Sequence, residues 1–107
     1  MPSQEYSTSR KITIRFPFGE KELLVKREKY PNGNIALVAY DGDGEYATLS
    51  VNTEMLLGED GDDLVAVKNY SENEGVAVSL YANGIISEPL FWLPIGLTRV
   101  PICICFL

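Results

Sequence analysis

Between Arg10 and Asn52 the chain runs in short stretches of alternating apolar and polar residues, each closed by a cluster of turn formers. Arg10 to Phe16 places Ile12, Ile14 and Phe16 on one side of an extended segment, and Pro17-Phe18-Gly19-Glu20 turns it. A second run starts at Leu23-Leu24-Val25 and continues to Tyr30. Pro31-Asn32-Gly33-Asn34 follows, with Gly33 suited to positive φ. Ile35 to Tyr40 and Tyr46 to Asn52 flank the glycine- and aspartate-rich loop Asp41–Glu45, which reads as a hairpin. In the second of these, Tyr46, Thr48 and Ser50 share one face and Ala47, Leu49 and Val51 the other. A period of two with tight turns commits this part of the chain to antiparallel strands. Leu64 to Lys68 and Thr98 to Phe106 extend the pattern, with a long acidic loop over residues 53–63 before the first of them.

One segment changes period. Val76 and Leu80 lie a helical turn apart, as do Ala77 and Tyr81, so the spacing predicts a helix over about residues 72–82. Ser71 followed by Glu74 has the form of a capping box, and Asn83-Gly84 supplies a left-handed stop onto which Ile85-Ile86 would pack. Glu88 to Gly96, with three breakers among its residues, reads as an irregular connection carrying Phe91 and Trp92. At 107 residues and 46% hydrophobic composition, one core is available and a second is not. The expected fold is α+β: a curved antiparallel sheet of five to six strands with one packed helix. It would occupy residues 10–107 as a single domain behind a flexible polar leader at 1–9.

Charge is unevenly placed. The formal net charge is −6, yet residues 1–30 carry seven basic side chains against four glutamates, while residues 31–107 carry Lys68 and Arg99 against eleven acids. An acidic surface repels nucleic-acid phosphate and draws basic partners, so direct nucleic-acid binding is not expected. There is no histidine, which removes the commonest general base and the leading zinc ligand. Cys103 and Cys105, two apart on one strand, share a face about 7 Å apart. That distance is too great for a disulfide, and the pair reads as reduced core residues of a cytoplasmic protein. The polar start shows no secretory pattern. The apolar tail from Leu90 is broken by Pro94, Gly96, Arg99 and Pro101, so a bilayer span is not expected.

Candidate chemistry is sparse. Asp41-Gly-Asp43-Gly-Glu45 resembles the start of a calcium loop, but position twelve is Asn52 and the flanks are strands, so a hairpin turn is the better reading. Glu59, Asp60, Asp62 and Asp63 form a second acidic loop, either solvated or meeting a basic protein patch. Glu72, Glu74 and Glu88 could pair carboxylates, but Glu74 is committed to the cap and Glu72 to the helix dipole, leaving no catalytic set, no metal site and no cofactor motif. Tyr46, Tyr70, Glu72, Asn73, Trp92 and Arg99 are the candidate binding residues, because aromatic rings and a lone arginine can line a pocket or an interface. Arg99, beside an apolar run, would need a partner, either a glutamate or an anionic ligand, and a structural salt bridge is the better reading.

The blocks Tyr30-Pro31-Asn32-Gly33, Ile35-Ala36-Leu37, Tyr46-Ala47-Thr48-Leu49-Ser50-Val51-Asn52 and Asn69-Tyr70-Ser71-Glu72-Asn73-Glu74-Gly75, with Val100-Pro101-Ile102-Cys103, carry a resemblance. Over roughly residues 22–105 the chain resembles a family of small domains of unknown function carried on conjugative plasmids, integrative elements and phages of gut Bacillota. The resemblance implies a cytoplasmic accessory protein of a mobile element and carries over no catalytic residue. Two functions follow as expectations. One is a non-enzymatic anti-defence inhibitor, anti-CRISPR-like, that binds a host defence protein through its acidic surface. The alternative is an oligomeric small-molecule binder, a sponge that sequesters a nucleotide-derived immune signal. Open sheet edges and the apolar tail also make a homo-oligomer an expectation.

Overall fold

The computed structural model describes residues 8–54 and 63–107. The first four strands are β1 (Ser9–Phe16), β2 (Gly19–Lys29), β3 (Ile35–Asp41) and β4 (Gly44–Thr48), joined as successive hairpins in the order β1-β2-β3-β4. Each turn uses the residues that the sequence offers for it. Phe16 pairs with Gly19 around Pro17-Phe18, and Asp41 pairs with Gly44 around Gly42-Asp43. The Asp41 carboxylate accepts the Asp43 N–H at 2.7 Å, a side-chain turn bond of the kind aspartate makes well. Between Tyr30 and Asn34, Gly33 takes φ 95° and donates its N–H to the Tyr30 carbonyl at 2.8 Å.

A second sheet holds β5 (Leu64–Ala66), β7 (Thr98–Ile104) and β6 (Phe91–Ile95) in the order β5-β7-β6. The expected single curved sheet of five to six strands is therefore, among the described residues, seven strands in two antiparallel sheets with one short α-helix, an α+β arrangement. The strand missing from the sequence reading is β6. Pro94 lies inside it, and a proline is tolerated in a strand only where its absent N–H faces no neighbour. The register shows why that holds here. The Val67 N–H donates to the Pro101 carbonyl at 3.0 Å, so the backbone of Pro101 is turned toward β5. Trp92 is opposite Pro101 and Pro94 opposite Arg99, so Trp92 and Pro94 turn their backbone groups to the free edge of β6.

The two sheets meet at Ser50, just past β4. Its backbone bridges Val67, while the Leu49 N–H donates to Leu37 O at 2.8 Å and the Lys68 N–H to Leu49 O at 2.8 Å. The Ser50 side chain is 3% exposed, and its Oγ accepts the buried Leu37 N–H at 3.0 Å. Tyr30 Oη lies 2.9 Å from the same hydroxyl. A side chain thus takes the place of a ladder carbonyl at the point where the chain leaves β3 for β5. The residues on either side divide accordingly. Leu49 enters the main core, and Val51 joins a second cluster around Ala66, Val100 and Ile102.

The helix is shorter than expected. Residues Ser71–Asn73 form a 3-10 turn, and α1 spans Val76–Ala82, with Gly75 at φ 91° between them. The capping box does not form: Ser71 sits at φ 59°, and the Glu74 N–H donates to its backbone carbonyl rather than to its hydroxyl. Asn69 caps instead, its Oδ1 accepting the Ala77 N–H at 2.9 Å. The far end follows the expected stop. Gly84, at φ 74°, donates to Tyr81 O and Ile85 donates to Leu80 O, the paired bonds of a Schellman motif. Val76, Leu80, Ile85 and Ile86 then enter the main core with Ile12, Ile14, Val25, Leu37, Val65, Cys103 and Cys105. Of the two stripes read from the sequence, Val76 and Leu80 are buried and Tyr81 is exposed. α1 lies against the edge strand β1: the Arg15 N–H donates to Ser79 Oγ at 2.9 Å, and Arg10 donates to Asn83 O at 2.6 Å.

Replacing Ser50 by alanine leaves the Leu37 N–H buried without an acceptor, at a cost of about 1–3 kcal/mol. In a domain of this size that lowers the melting temperature by roughly 4–8 °C per kcal/mol. Thermal unfolding followed by circular dichroism should show the drop; an unchanged midpoint would remove Ser50 from this role.

Candidate functional site

The basic side chains of the β1–β2 hairpin are largely engaged within the molecule. Arg15 pairs with Glu20 at 2.8 Å, and Arg27 pairs with Asp63 at 2.8 Å while also donating to Leu107 O at 2.8 Å. Lys21 sits 5.1 Å over the Tyr46 ring and Lys26 4.8 Å over the Tyr40 ring. Tyr40 in turn donates to Glu28 at 2.6 Å, a bond to the protonated phenol that pushes its pKa up to about 12. Arg10 serves the carbonyl end of α1, where a cation complements the helix dipole.

The acidic side chains are less consumed. Among the described residues, the ion pairs are those of Arg15, Arg27 and Lys68, so Glu22, Glu28, Asp41, Asp43, Glu45, Glu54, Glu74 and Glu88 carry their charge without one. Three of these, Asp41, Asp43 and Glu45, are gathered at the β3–β4 turn, where Asp43 and Glu45 are exposed. Glu45 accepts only a long bond from Thr48 Oγ1, at 3.2 Å. The turn is an acidic tip, and no group of three or more carboxylates or cysteines with metal-binding geometry occurs among the described residues.

Glu59, Asp60 and Asp62 lie outside the described residues. Asp63 is at the start of β5, held by Arg27, and its backbone carbonyl accepts the Cys105 N–H at 2.6 Å. It works as an anchor for the end of the acidic loop. The other sequence candidates separate. Tyr46 packs on Phe16, with ring centroids 5.9 Å apart, beside Lys21. Tyr70 joins the second cluster with the Lys68 ammonium 5.7 Å from its ring. Glu72 pairs with Lys68 at 2.6 Å, and that bond, its own backbone N–H and the Ser71 hydroxyl pull its carboxyl down to about 2. Asn73, 1% exposed, points inward and donates to Thr48 O at 3.0 Å. The block from Asn69 to Gly75 connects β5 to α1, and within it the Asn73 Oδ1 is buried with no hydrogen-bond partner among the described residues.

Trp92 and Arg99 are brought together. With Pro94 opposite Arg99 and Trp92 opposite Pro101, all four occupy one face of the β6–β7 hairpin. Trp92 is 45% exposed, and Arg99 is exposed with no ion pair among the described residues, so the structural glutamate expected for it is not found. Of the nine large apolar or aromatic side chains exposed among the described residues, four (Leu90, Phe91, Trp92 and Leu97) belong to this arm. Sequence reasoning passed over Leu90 and Leu97, although a glycine-initiated turn before Leu97 was a signal for an exposed tip.

Two further features have simple chemistry. An open groove of about 1000 Å³ runs between the β1–β2 turn and α1, lined by Arg15, Phe16, Glu20, Glu74, Val78 and Ser79. Its charged pair is Arg15–Glu20, and the Ser79 hydroxyl is occupied by a backbone N–H, so it holds no activated nucleophile. The thiols of Cys103 and Cys105 are free and buried, and burial pushes Cys103 up to about 11 and raises Cys105 as well. They are inert apolar groups in the core. No helix among the described residues is long and apolar enough to cross a membrane. No family model, no curated protein and no solved structure matches this chain.

The depressed Glu72 carboxyl gives a titration to check. A lowered folded-state pKa favours the fold above the ordinary value of 4.5, and that contribution is lost as pH falls from there toward about 2. Carbon-detected NMR should place the Glu72 midpoint near the lower value, and Lys68→Met should bring it back toward the ordinary one. A wild-type midpoint in the normal range would mean that the pair does not persist in solution.

Proposed function

We propose that this chain is a non-enzymatic accessory protein of a mobile element or phage, acting in the cytoplasm as an anti-defence inhibitor that binds a basic surface of a host defence protein. The observation that carries the reading is the segregation of charge. The cations of the β1–β2 hairpin are largely turned to internal partners, whereas the acidic tip at Asp41, Asp43 and Glu45 projects without counter-ions. A net charge of −6 steers such a molecule toward basic partners, including the nucleic-acid channels of defence enzymes. The resemblance to mobile-element domains supplies the setting.

Affinity capture from host lysate, with mass spectrometry of both proteins and small molecules, tests the proposal. A host protein should be retained at low salt and lost progressively as ionic strength rises through the range where the Debye length falls from about 30 Å to about 8 Å. Neutralising Asp43, Glu45, Glu59, Asp60 and Asp62 should weaken capture at least tenfold, with Asp63 left intact because Arg27 depends on it. Salt-insensitive capture, or recovery of a nucleotide-like molecule in place of a protein, would overturn the inhibitor reading.

A further inference from the structure

The β6–β7 arm has a charge pattern that complements itself. From Pro89 to Leu107 the only charged side chain is Arg99, near the tip, and Glu88 stands immediately before this stretch at the base. Both are exposed, and among the described residues the Glu88 carboxylate accepts only a 3.2 Å bond from the Tyr81 hydroxyl. Between them lie the exposed Leu90, Trp92, Pro94 and Leu97. A two-fold interface apposes one patch with its own copy in reverse, so it needs opposite charges at opposite ends and an apolar centre. This arm has that order: negative, apolar, positive.

We infer that the arm is a homodimer contact, with two copies of β6 running antiparallel about Trp92. The backbone of Trp92 faces the free edge and can exchange one reciprocal pair of N–H···O=C bonds with its copy. Two positions further on, Pro94 has no N–H to give, and the Leu90 N–H is already used by Ile102 O at 2.8 Å. Backbone pairing therefore stops after one reciprocal pair, and the edge cannot propagate into a longer sheet. Register and orientation are set by the side chains. In this apposition Glu88 of one copy lies beside the turn that precedes Arg99 in the other, twice. A tryptophan at the centre and an arginine at the rim is the composition that carries contact energy in such patches. The host-binding reading uses the acidic tip, a different surface, so either proposal can fail without the other.

Trp92 is the only tryptophan of the chain, so its fluorescence reports on the arm directly. Sedimentation over a range of about 1 μM to 1 mM, which spans the affinities a small interface supports, should show a monomer–dimer equilibrium. Trp92 emission should shift to shorter wavelength as the dimer forms. Arg99→Glu alone and Glu88→Arg alone should each weaken association at least tenfold, with unchanged circular dichroism because both positions are exposed. Combining the two swaps the charges and should restore the dimer. A wild-type chain that stays monomeric at the highest concentration overturns the inference. So does a dimer indifferent to either reversal, or a double variant that fails to recover.

Discussion

The hydrogen bond from the Leu37 N–H to the Ser50 hydroxyl is where two sheets become one molecule. Up to Leu49 the chain is a meander whose neighbours in space are its neighbours in sequence. Beyond Ser50 the same backbone must turn to face β5, which arrives from beyond the acidic loop. A backbone leaving its ladder abandons a donor in the interior, and a buried orphan N–H is among the costlier defects a fold can carry. Serine removes the defect with one short side chain, and Tyr30 adds its own hydroxyl to the same atom. Every later element inherits this placement, because β5 sets β7, and β7 sets β6.

Much of this was legible in the chain. Alternation with glycine- and asparagine-bearing turns located β1 to β4 to within a few residues, and Val76 with Leu80 gave the buried stripe of the helix. The failures have local causes. Gly75 in a left-handed conformation divides the expected helix, and with Ser71 itself at φ 59° it is Asn69 that accepts the Ala77 N–H. Neither can be read from residue spacing, because a capping box and a tight connector use the same letters. Pro94 hid β6, since its acceptability depends on which way a strand edge faces, and that is a property of the partner strand. The candidate surface was legible only in part. Trp92 and Arg99 converge because of a register that no spacing rule contains, whereas Tyr46 packs on Phe16 beside Lys21 and Tyr70 joins the second cluster beside Lys68.

The two surfaces differ in physical character. In the two proposals, the acidic tip would act at a distance and weaken with salt, while the arm would act on contact and remove apolar area from water. Splitting the two proposed roles between separate hairpins would let a small protein meet one partner by steering and another by burial.

At seven residues, α1 is well below the ~12–15 that an isolated helix needs in water. Its order is borrowed: Asn69 holds its first turn, Ser79 is tied to the edge of β1, and Arg10 of β1 holds its last carbonyls. Helix and strand therefore form a single cooperative unit, although some sixty residues separate them in the chain. In native-state hydrogen exchange, the amides of Leu80 and Asn83 should lose protection in the same opening event that releases the outward-facing amide of Arg15.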